Sequence, residues 1–366
     1  MNGLLLCTED CNLRCKYCFE ENMHKDLCLS KLQVQKNFNF FIENYLEKFV
    51  DELYKINIQQ KKKQNITFHG GEPLLIGEEL FEKALKIISK YEDTDICMQT
   101  NGTLFTDKII DLCKKYNVKV GVSIDGPKEI HDEYRLNRGE NGSFDLVYSN
   151  IKKLQEKGVI VGGLATVTDV TIHNPKKFYN FFKENNLNFS FNPCYIEPNI
   201  KSSCSRINLK DYIEFTNKIF DLWINDNSSN ISINAFERIM SAMCVKKRIY
   251  MEVCSFIPDC SKTTVAINTK GEFYRCLHYC LDKKNMIGNL DENTLWKAVG
   301  DNDMYKRIDY LEKNECKYCD IFEYCYGGCP YVAESLNGSI FSKANTCECQ
   351  KAIVHHIRDY LRQFEK

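Results

Sequence analysis

Short apolar runs alternate with longer stretches that are apolar at every third or fourth place. Gly3 to Cys7 predicts a strand, and about Leu32 to Ile56 a long helix with Phe38, Phe41, Ile42, Tyr45, Leu46 and Val50 along one face. The alternation then repeats. Strands are expected at Ile66 to His69, Ile96 to Gln99, Val118 to Ile124, Val159 to Val167 and Asn188 to Phe191. Helices are expected at Glu79 to Lys90, Asp107 to Tyr116, Phe144 to Lys157 and Pro175 to Asn185. Repeated βα units argue an α/β fold with a parallel sheet and helices on its outer face. Residues about 194 to 207 read as a polar linker, followed by helices at Leu209 to Ile224 and Ala235 to Val245. Thr264 to Asn268 and Glu272 to Cys276 read as a hairpin with Gly271 in its turn. Short helices and Cys-rich loops follow, and an amphipathic helix at about Glu348 to Phe364 ends the pattern.

Polar and glycine-rich clusters fall just after the strands: Cys11 to Cys18, Gly70-Gly71-Glu72-Pro73, Gln99-Thr100-Asn101-Gly102 and Ser123-Ile124-Asp125-Gly126. In α/β barrels chemistry sits at the C-terminal ends of the strands. The chain has 366 residues, more than one core usually spans, so a large domain plus a smaller one is expected. Net charge is −1 with both signs interspersed, which gives no footprint for nucleic acid. Lys61-Lys62-Lys63 reads as a solvated helix end.

Twenty Cys are the outlier. No N-terminal apolar signal region precedes the first strand, so a disulfide framework is not expected and metal binding is favoured. No apolar run approaches the roughly 20 residues that span a bilayer. The expected location is the cytoplasm, in a reducing cell, with no membrane partner. Cys11, Cys15 and Cys18 lie at three-then-two spacing. Thiolates are the ligands of iron–sulfur clusters, and one loop can wrap one cluster. A structural zinc site takes four ligands, so a zinc knuckle with its fourth ligand elsewhere fits the spacing equally.

CX3CX2C after a first strand, with Tyr17 before the last Cys, resembles the radical S-adenosylmethionine (SAM) superfamily. The resemblance implies a partial (β/α)6 barrel whose three Cys hold a 4Fe–4S cluster, with SAM chelating the fourth iron. One electron then splits SAM, and a 5′-deoxyadenosyl radical abstracts a substrate hydrogen. Gly70, Gly71, Glu72 and Pro73 would meet the SAM amino group, Ser123 the ribose or carboxylate, Arg138 the carboxylate and Thr166 the adenosine. Read without the resemblance, Gly70 to Pro73 is a tight turn, Asp125 a cap and Arg138 a solvated loop residue. His69 points into the same mouth, as a substrate contact or a core residue.

The C-terminal cysteines resemble the SPASM extension of peptide-modifying radical SAM enzymes. By position, Cys254, Cys260, Cys276 and Cys329 would hold one auxiliary 4Fe–4S cluster. Cys316, Cys319, Cys325 and Cys347 would hold a second, with Cys349 as the alternative to Cys347. Two zinc knuckles are the plainer alternative. Three clusters in all would use eleven of the twenty thiols. The other nine read mostly as small buried hydrophobes. The expected division is 1–207 for the barrel, 208–250 for a helical linker region and 251–366 for the SPASM domain.

The resemblance runs nearly the whole chain and is nearest to anaerobic sulfatase-maturating enzymes, which oxidise Ser or Cys to formylglycine. One position departs. Where those enzymes have an Asp base directly after the third ligand of the first auxiliary cluster, this chain has Leu277. A leucine cannot take a proton, which leaves His278, Tyr279 or Asp282 as substitutes. The reading preferred on this ground is a maturase of a ribosomally made peptide, forming a thioether or carbon–carbon crosslink. A sulfatase maturase is the alternative, and an electron-transfer iron–sulfur protein the alternative of another class. Expected partners are a peptide or protein substrate and an electron donor such as flavodoxin or ferredoxin. Leader recognition would use the barrel mouth, the linker or a separate partner.

Overall fold

A computed structural model describes residues 1–18, 29–194, 207–244, 254–292, 294–300 and 304–364. The expected linker at 194–207 lies almost wholly outside the described residues, as do Cys28 and Cys204. Strand β1 (Asn2–Leu6) precedes α1 (Lys31–Phe41), a π-helical turn at Ile42–Leu46 and α2 (Glu47–Gln59). Next come β2 (Gln64–His69), α3 (Glu78–Ile88), β3 (Thr94–Thr100), α4 (Asp107–Lys115), β4 (Lys119–Ser123) and α5 (Phe144–Glu156). They are followed by β5 (Val161–Val167), α6 (Pro175–Glu184), β6 (Phe189–Pro193), α7 (Leu209–Ile224) and α8 (Asn234–Cys244). Then come β7 (Thr264–Ile267), β8 (Glu272–Tyr274), β9 (Gly288–Asn289), α9 (Met304–Lys313), α10 (Pro330–Asn337) and α11 (Cys347–Arg362). The single long helix expected near the N-terminus is thus two helices joined through a π turn.

The chain forms two compact units. The first takes residues 1–124, 131–162 and 261–302. In it β1, β2, β3 and β4 pair in parallel, in register Leu5 with Phe68, Phe68 with Met98 and Met98 with Val120. Burial along β2 alternates strictly, so Ile66 and Phe68 point to one side and are fully buried. Helix α2 turns Phe49, Val50, Leu53 and Ile56 inward, and α3 turns Phe81, Ala84, Leu85 and Ile88 inward. These faces follow the helical period of the sequence. Thr106 caps α4 by accepting from the Ile109 amide at 3.2 Å.

The hairpin is placed differently from its position in the chain. Strand β7 pairs in parallel with β1, and β8 and β9 continue antiparallel. Residues 264–289, expected with the Cys-rich tail, therefore extend the first sheet. Val265, Ala266 and Ile267 are fully buried, so β7 is a covered strand.

The second unit takes residues 125–130, 163–260 and 303–366. Its strands β5 and β6 pair in parallel. An aromatic core fills it: Phe182 stacks on Phe189 at 4.1 Å, and Phe178 meets Phe215 edge-on at 5.4 Å. Phe220 and Phe236 add another edge contact at 5.4 Å. Such pairs add about 0.5–1.5 kcal/mol each beyond area burial. Helix α7 packs against α6 and α11. Truncating the fully buried Phe178 to Ala would cost about 3–5 kcal/mol.

Candidate metal centre

Residues 7–18 leave β1 as a loop crossed by bonds from three other segments. The Cys7 amide donates to the His69 carbonyl, and the Gly71 and Glu72 amides donate to Thr8 and Asp10 carbonyls, each at 2.9 Å. A Cβ on Gly71 would lie 2.2 Å from the Asp10 carbonyl oxygen, and one on Gly70 would lie 2.4 Å from that of Thr8. Only glycine allows this approach. Cys11 follows, and its Sγ accepts from the Leu13 amide at 3.4 Å and from Asn101 Nδ2 at 3.6 Å. Burial first, then Glu72 and Cys15, push the Cys11 thiol up to about 12. The Cys18 amide donates to the Cys15 carbonyl at 3.0 Å, which folds the last two thiols into one turn.

Two guanidinium groups grip the same loop. Arg138 Nη2 lies 2.7 Å from Asp10 Oδ1 and 3.0 Å from the Cys11 carbonyl. Arg14 Nη1 donates to the Cys11 carbonyl at 2.6 Å. Asp10 is 4% exposed at its side chain, so this ion pair is largely shielded from solvent. Tyr17 packs on Tyr134 at 5.7 Å, with the Arg135 guanidinium over its ring at 5.3 Å.

Glu72 differs from the expected ligand carboxylate. It has no exposed surface. Its Oε1 accepts from the Leu74 amide at 3.0 Å and Thr100 Oγ1 at 2.7 Å, and Oε2 accepts from the Asn101 amide at 2.7 Å. The side chain turns inward because three donors meet it there, and it ties the β2 and β3 ends together. Desolvation pushes its pKa up to about 7 against the pull of those three bonds.

Four C-terminal thiols of the second unit, Cys316, Cys319, Cys325 and Cys347, lie near enough for their charges to interact. Burial pushes Cys325 up to about 12, and Cys347, Cys319 and Cys316 add to the shift. Cys316, pushed up to about 11, feels Cys347 and Cys319 after burial. Cys347 feels Cys319 in turn. Cys349 stands apart: its Sγ is directed to the Leu209 carbonyl at 3.9 Å. Two residues apart on α11, Cys347 and Cys349 point to different faces. Of the other expected set, Cys254, Cys260 and Cys329 lie in the second unit and Cys276 in the first. Gln350 of α11 donates to the Ser255 carbonyl at 2.9 Å, which fixes the turn carrying Cys254.

Among the described residues no three His, Cys, Asp or Glu side chains converge on a single ion. One tetrahedral zinc would draw its thiolates to about 3.8 Å from one another at Zn–S near 2.3 Å. A 4Fe–4S cluster takes one thiolate per iron and sets them wider.

The sequence profile of the Radical SAM superfamily matches residues 5–182. A cysteine-type anaerobic sulfatase-maturating enzyme of Clostridium novyi (strain NT) is 32% identical, over 92% of this chain and 91% of that protein. This chain belongs to the radical SAM superfamily. The radical SAM cyclopropyl synthase TigE of Paramaledivibacter caminithermalis is 24% identical, over 96% of this chain and 73% of that one. The solved structure of native anSMEcpe with bound AdoMet superimposes with a TM-score of 0.81 at 25% identity, covering 100% of this chain and 99% of that one. The same protein with AdoMet and the Kp18Cys peptide gives 0.79 at 25% identity, covering 99% and 98%. The fold is thus the radical SAM fold with a Cys-rich C-terminal region, close to the anaerobic sulfatase-maturating enzymes.

For a radical SAM loop the donor set fits a cluster: three thiols on one turn-rich segment, amide donors aimed at Cys11 Sγ and a glycine cradle beside it. The family implies SAM and one 4Fe–4S cluster here. Ser123, at the end of β4, accepts from Gln99 Nε2 at 3.2 Å and is half-buried. Thr166 lies in the second unit, its amide donating to the fully buried Asp125 at 2.8 Å. Asp125 is therefore a brace for β5. His69 Nδ1 accepts from the Gly70 amide at 2.8 Å, so the ring helps shape the glycine turn.

Asp282 is exposed, caps the turn at Lys283–Asn285 and pairs with Lys284 Nζ at 2.9 Å. The Lys284 ammonium and amide hold its carboxyl below the ordinary range. His278 is half-buried at the start of a 3₁₀ turn in the first unit. Asn101 carried no role in the sequence reading. It bonds Cys11, Asn12 and Glu72 together. Its place directly after β3, in a polar cluster, was the available signal.

Proposed function

We propose that this radical SAM enzyme is a maturase that oxidises a residue of a ribosomally made peptide, forming a thioether or carbon–carbon crosslink. When bound, the N-terminal cluster supplies the electron that splits SAM into methionine and a hydrogen-abstracting 5′-deoxyadenosyl radical. Cys11, Cys15 and Cys18 would hold it, and Gly70, Gly71, Pro73, Ser123 and Thr166 would line SAM. Arg138, besides its grip on Asp10, would face the SAM carboxylate. Two auxiliary clusters are assigned to Cys254, Cys260, Cys276 and Cys329 and to Cys316, Cys319, Cys325 and Cys347. The electrostatic neighbours of Cys316, Cys325 and Cys347 support that grouping, and the turn of Cys349 Sγ toward the Leu209 carbonyl favours Cys347 over Cys349. An electron donor of the flavodoxin or ferredoxin class completes the system.

Leu277 carries the choice of product. Crosslinking removes two hydrogens from the peptide, one as an atom to the 5′-deoxyadenosyl radical and one as an electron to an auxiliary cluster plus a proton to a base that need not stand at position 277. Formylglycine formation needs a proton acceptor beside the substrate hydroxyl or thiol. Leu277 supplies none, and Asp282 is exposed and engaged with Lys284. His278 remains as the candidate base. The second reading, a sulfatase maturase, is favoured by the 32% identity to the cysteine-type enzyme along almost the whole chain. Anaerobic enzyme offered a sulfatase-motif peptide and any short Cys-containing peptide found encoded beside its gene distinguishes them. Loss of two hydrogens with a Cys resistant to alkylation supports the crosslink. Efficient aldehyde formation on the sulfatase peptide overturns the preference.

A further inference from the structure

Helix α9 buries Met304, Arg307 and Leu311 on one face. At the middle position, where a hydrophobe would ordinarily pack, stands an arginine only 2% exposed. A buried guanidinium stays charged, and it is tolerated only when its donors are met. Here Nε donates to the Ile340 carbonyl at 2.6 Å and Nη1 to that of Tyr326 at 2.9 Å. Nη2 donates to the Gly327 carbonyl at 3.0 Å and to that of Ser342 at 3.2 Å.

These carbonyls belong to the two segments that carry cluster thiols. Tyr326 and Gly327 lie directly between Cys325 and Cys329, in left-handed conformations at φ 48° and 78°. A Cβ on Gly327 would come within 2.5 Å of Leu311 and 3.3 Å of Arg307, so the loop is seated closely on α9. The Gly327 carbonyl also accepts from the Ala344 amide at 2.8 Å, and the Ala344 carbonyl accepts from the Cys347 amide at 2.9 Å. Arg307 thus holds the path from Cys325 through Cys329 and, through residue 344, the start of α11.

We propose that Arg307 is a positioning residue that raises the reduction potential of the auxiliary cluster assigned to Cys316, Cys319, Cys325 and Cys347. A cluster gains one negative charge for each electron it accepts, so a fixed cation beside it favours the reduced form. A raised potential suits a cluster that must accept an electron during substrate oxidation. The inference rests on the cluster assignment above.

The test is redox titration of the anaerobic holoenzyme, followed by electron paramagnetic resonance, for the parent, Arg307→Lys and Arg307→Gln. Both variants weaken the clamp, and only the lysine keeps the charge. Arg307→Gln is expected to disfavour reduction of one auxiliary cluster by tenfold or more, which is 59 mV for one electron. Arg307→Lys should shift the same equilibrium less than threefold. The SAM-responsive cluster should not move. Equal shifts in both variants, or none in either, overturn the proposal and leave a purely structural clamp. If Arg307→Gln does not retain clusters, reduced parent enzyme labelled with [15N]arginine decides by electron spin echo modulation. A nitrogen coupling to an auxiliary cluster that persists in Arg275→Lys, which removes the arginine directly before Cys276, supports the proposal, and no such coupling overturns it. A parent with iron for one cluster alone overturns the cluster assignment itself, and the proposal with it.

Discussion

Replacing Glu72 by Gln tests how a buried carboxylate holds the glycine turn. The parent carboxylate accepts three bonds and has no exposed surface. A glutamine of the same shape must aim its amide NH2 at one of those donors, which costs about 1–3 kcal/mol at any pH. A second term depends on pH. The folded pKa of Glu72, about 7, stands above its ordinary 4.5. The native state therefore binds the proton more tightly, and this contribution to stability is present at low pH and lost as pH rises through 7. Between pH 6 and 8 the loss integrates to about 1.4 kcal/mol, one proton across one effective pH unit. Glutamine has no such term, so its deficit should shrink by about that amount from pH 6 to pH 8. The assay is urea denaturation of the anaerobic holoenzyme, parent beside variant, at both pH values. A deficit that stays constant or grows with pH refutes the dominance of desolvation over the three bonds. Glu72→Ala, which leaves all three donors unmet, should lose about 3–5 kcal/mol at both pH values.

Further expectations follow from the thiols and the candidate bases. Cys347→Ala should lose about one cluster's iron, while Cys349→Ala should keep the parent content, as read by anaerobic iron and sulfide analysis. Replacing Cys11, Cys15 and Cys18 together should remove one cluster and leave the two auxiliary ones, and stoichiometric zinc in the parent would contradict the assignment. Asp282→Asn should leave product formation within about twofold of the parent, whereas His278→Ala should lower it about 10²-fold or more if that imidazole takes the proton. Single-turnover product assays by mass spectrometry read both.

The βα alternation was legible because each helix and strand carries its own period, as in α3 and β2. The cluster loop was legible only through the family resemblance, because three thiols at that spacing suit a zinc knuckle equally. Direction was not. Gly70-Gly71-Glu72-Pro73 reads as a ligand turn, yet whether the carboxylate faces out or in depends on Thr100 and Asn101, on another strand. Strand partners were hidden for the same reason: β7 pairs with β1 across more than two hundred residues of chain, and no local pattern encodes that. Cys347 and Cys349 are neighbours in sequence but not on a helix surface, so only the folded α11 separates them. Arg307 reads as one more surface charge until α9 is placed against the 326–342 loops.

The central claim is that the chain couples reductive SAM cleavage to oxidation of a peptide. Anaerobic, reduced holoenzyme with SAM and whichever Cys-containing peptide or sulfatase sequence is encoded beside its gene provides the direct measurement. 5′-Deoxyadenosine and peptide lacking two hydrogens should appear together in equal amounts, and Cys15→Ala should make neither. A Cys15→Ala protein that makes as much 5′-deoxyadenosine as the parent, or a parent that makes none, would contradict the account.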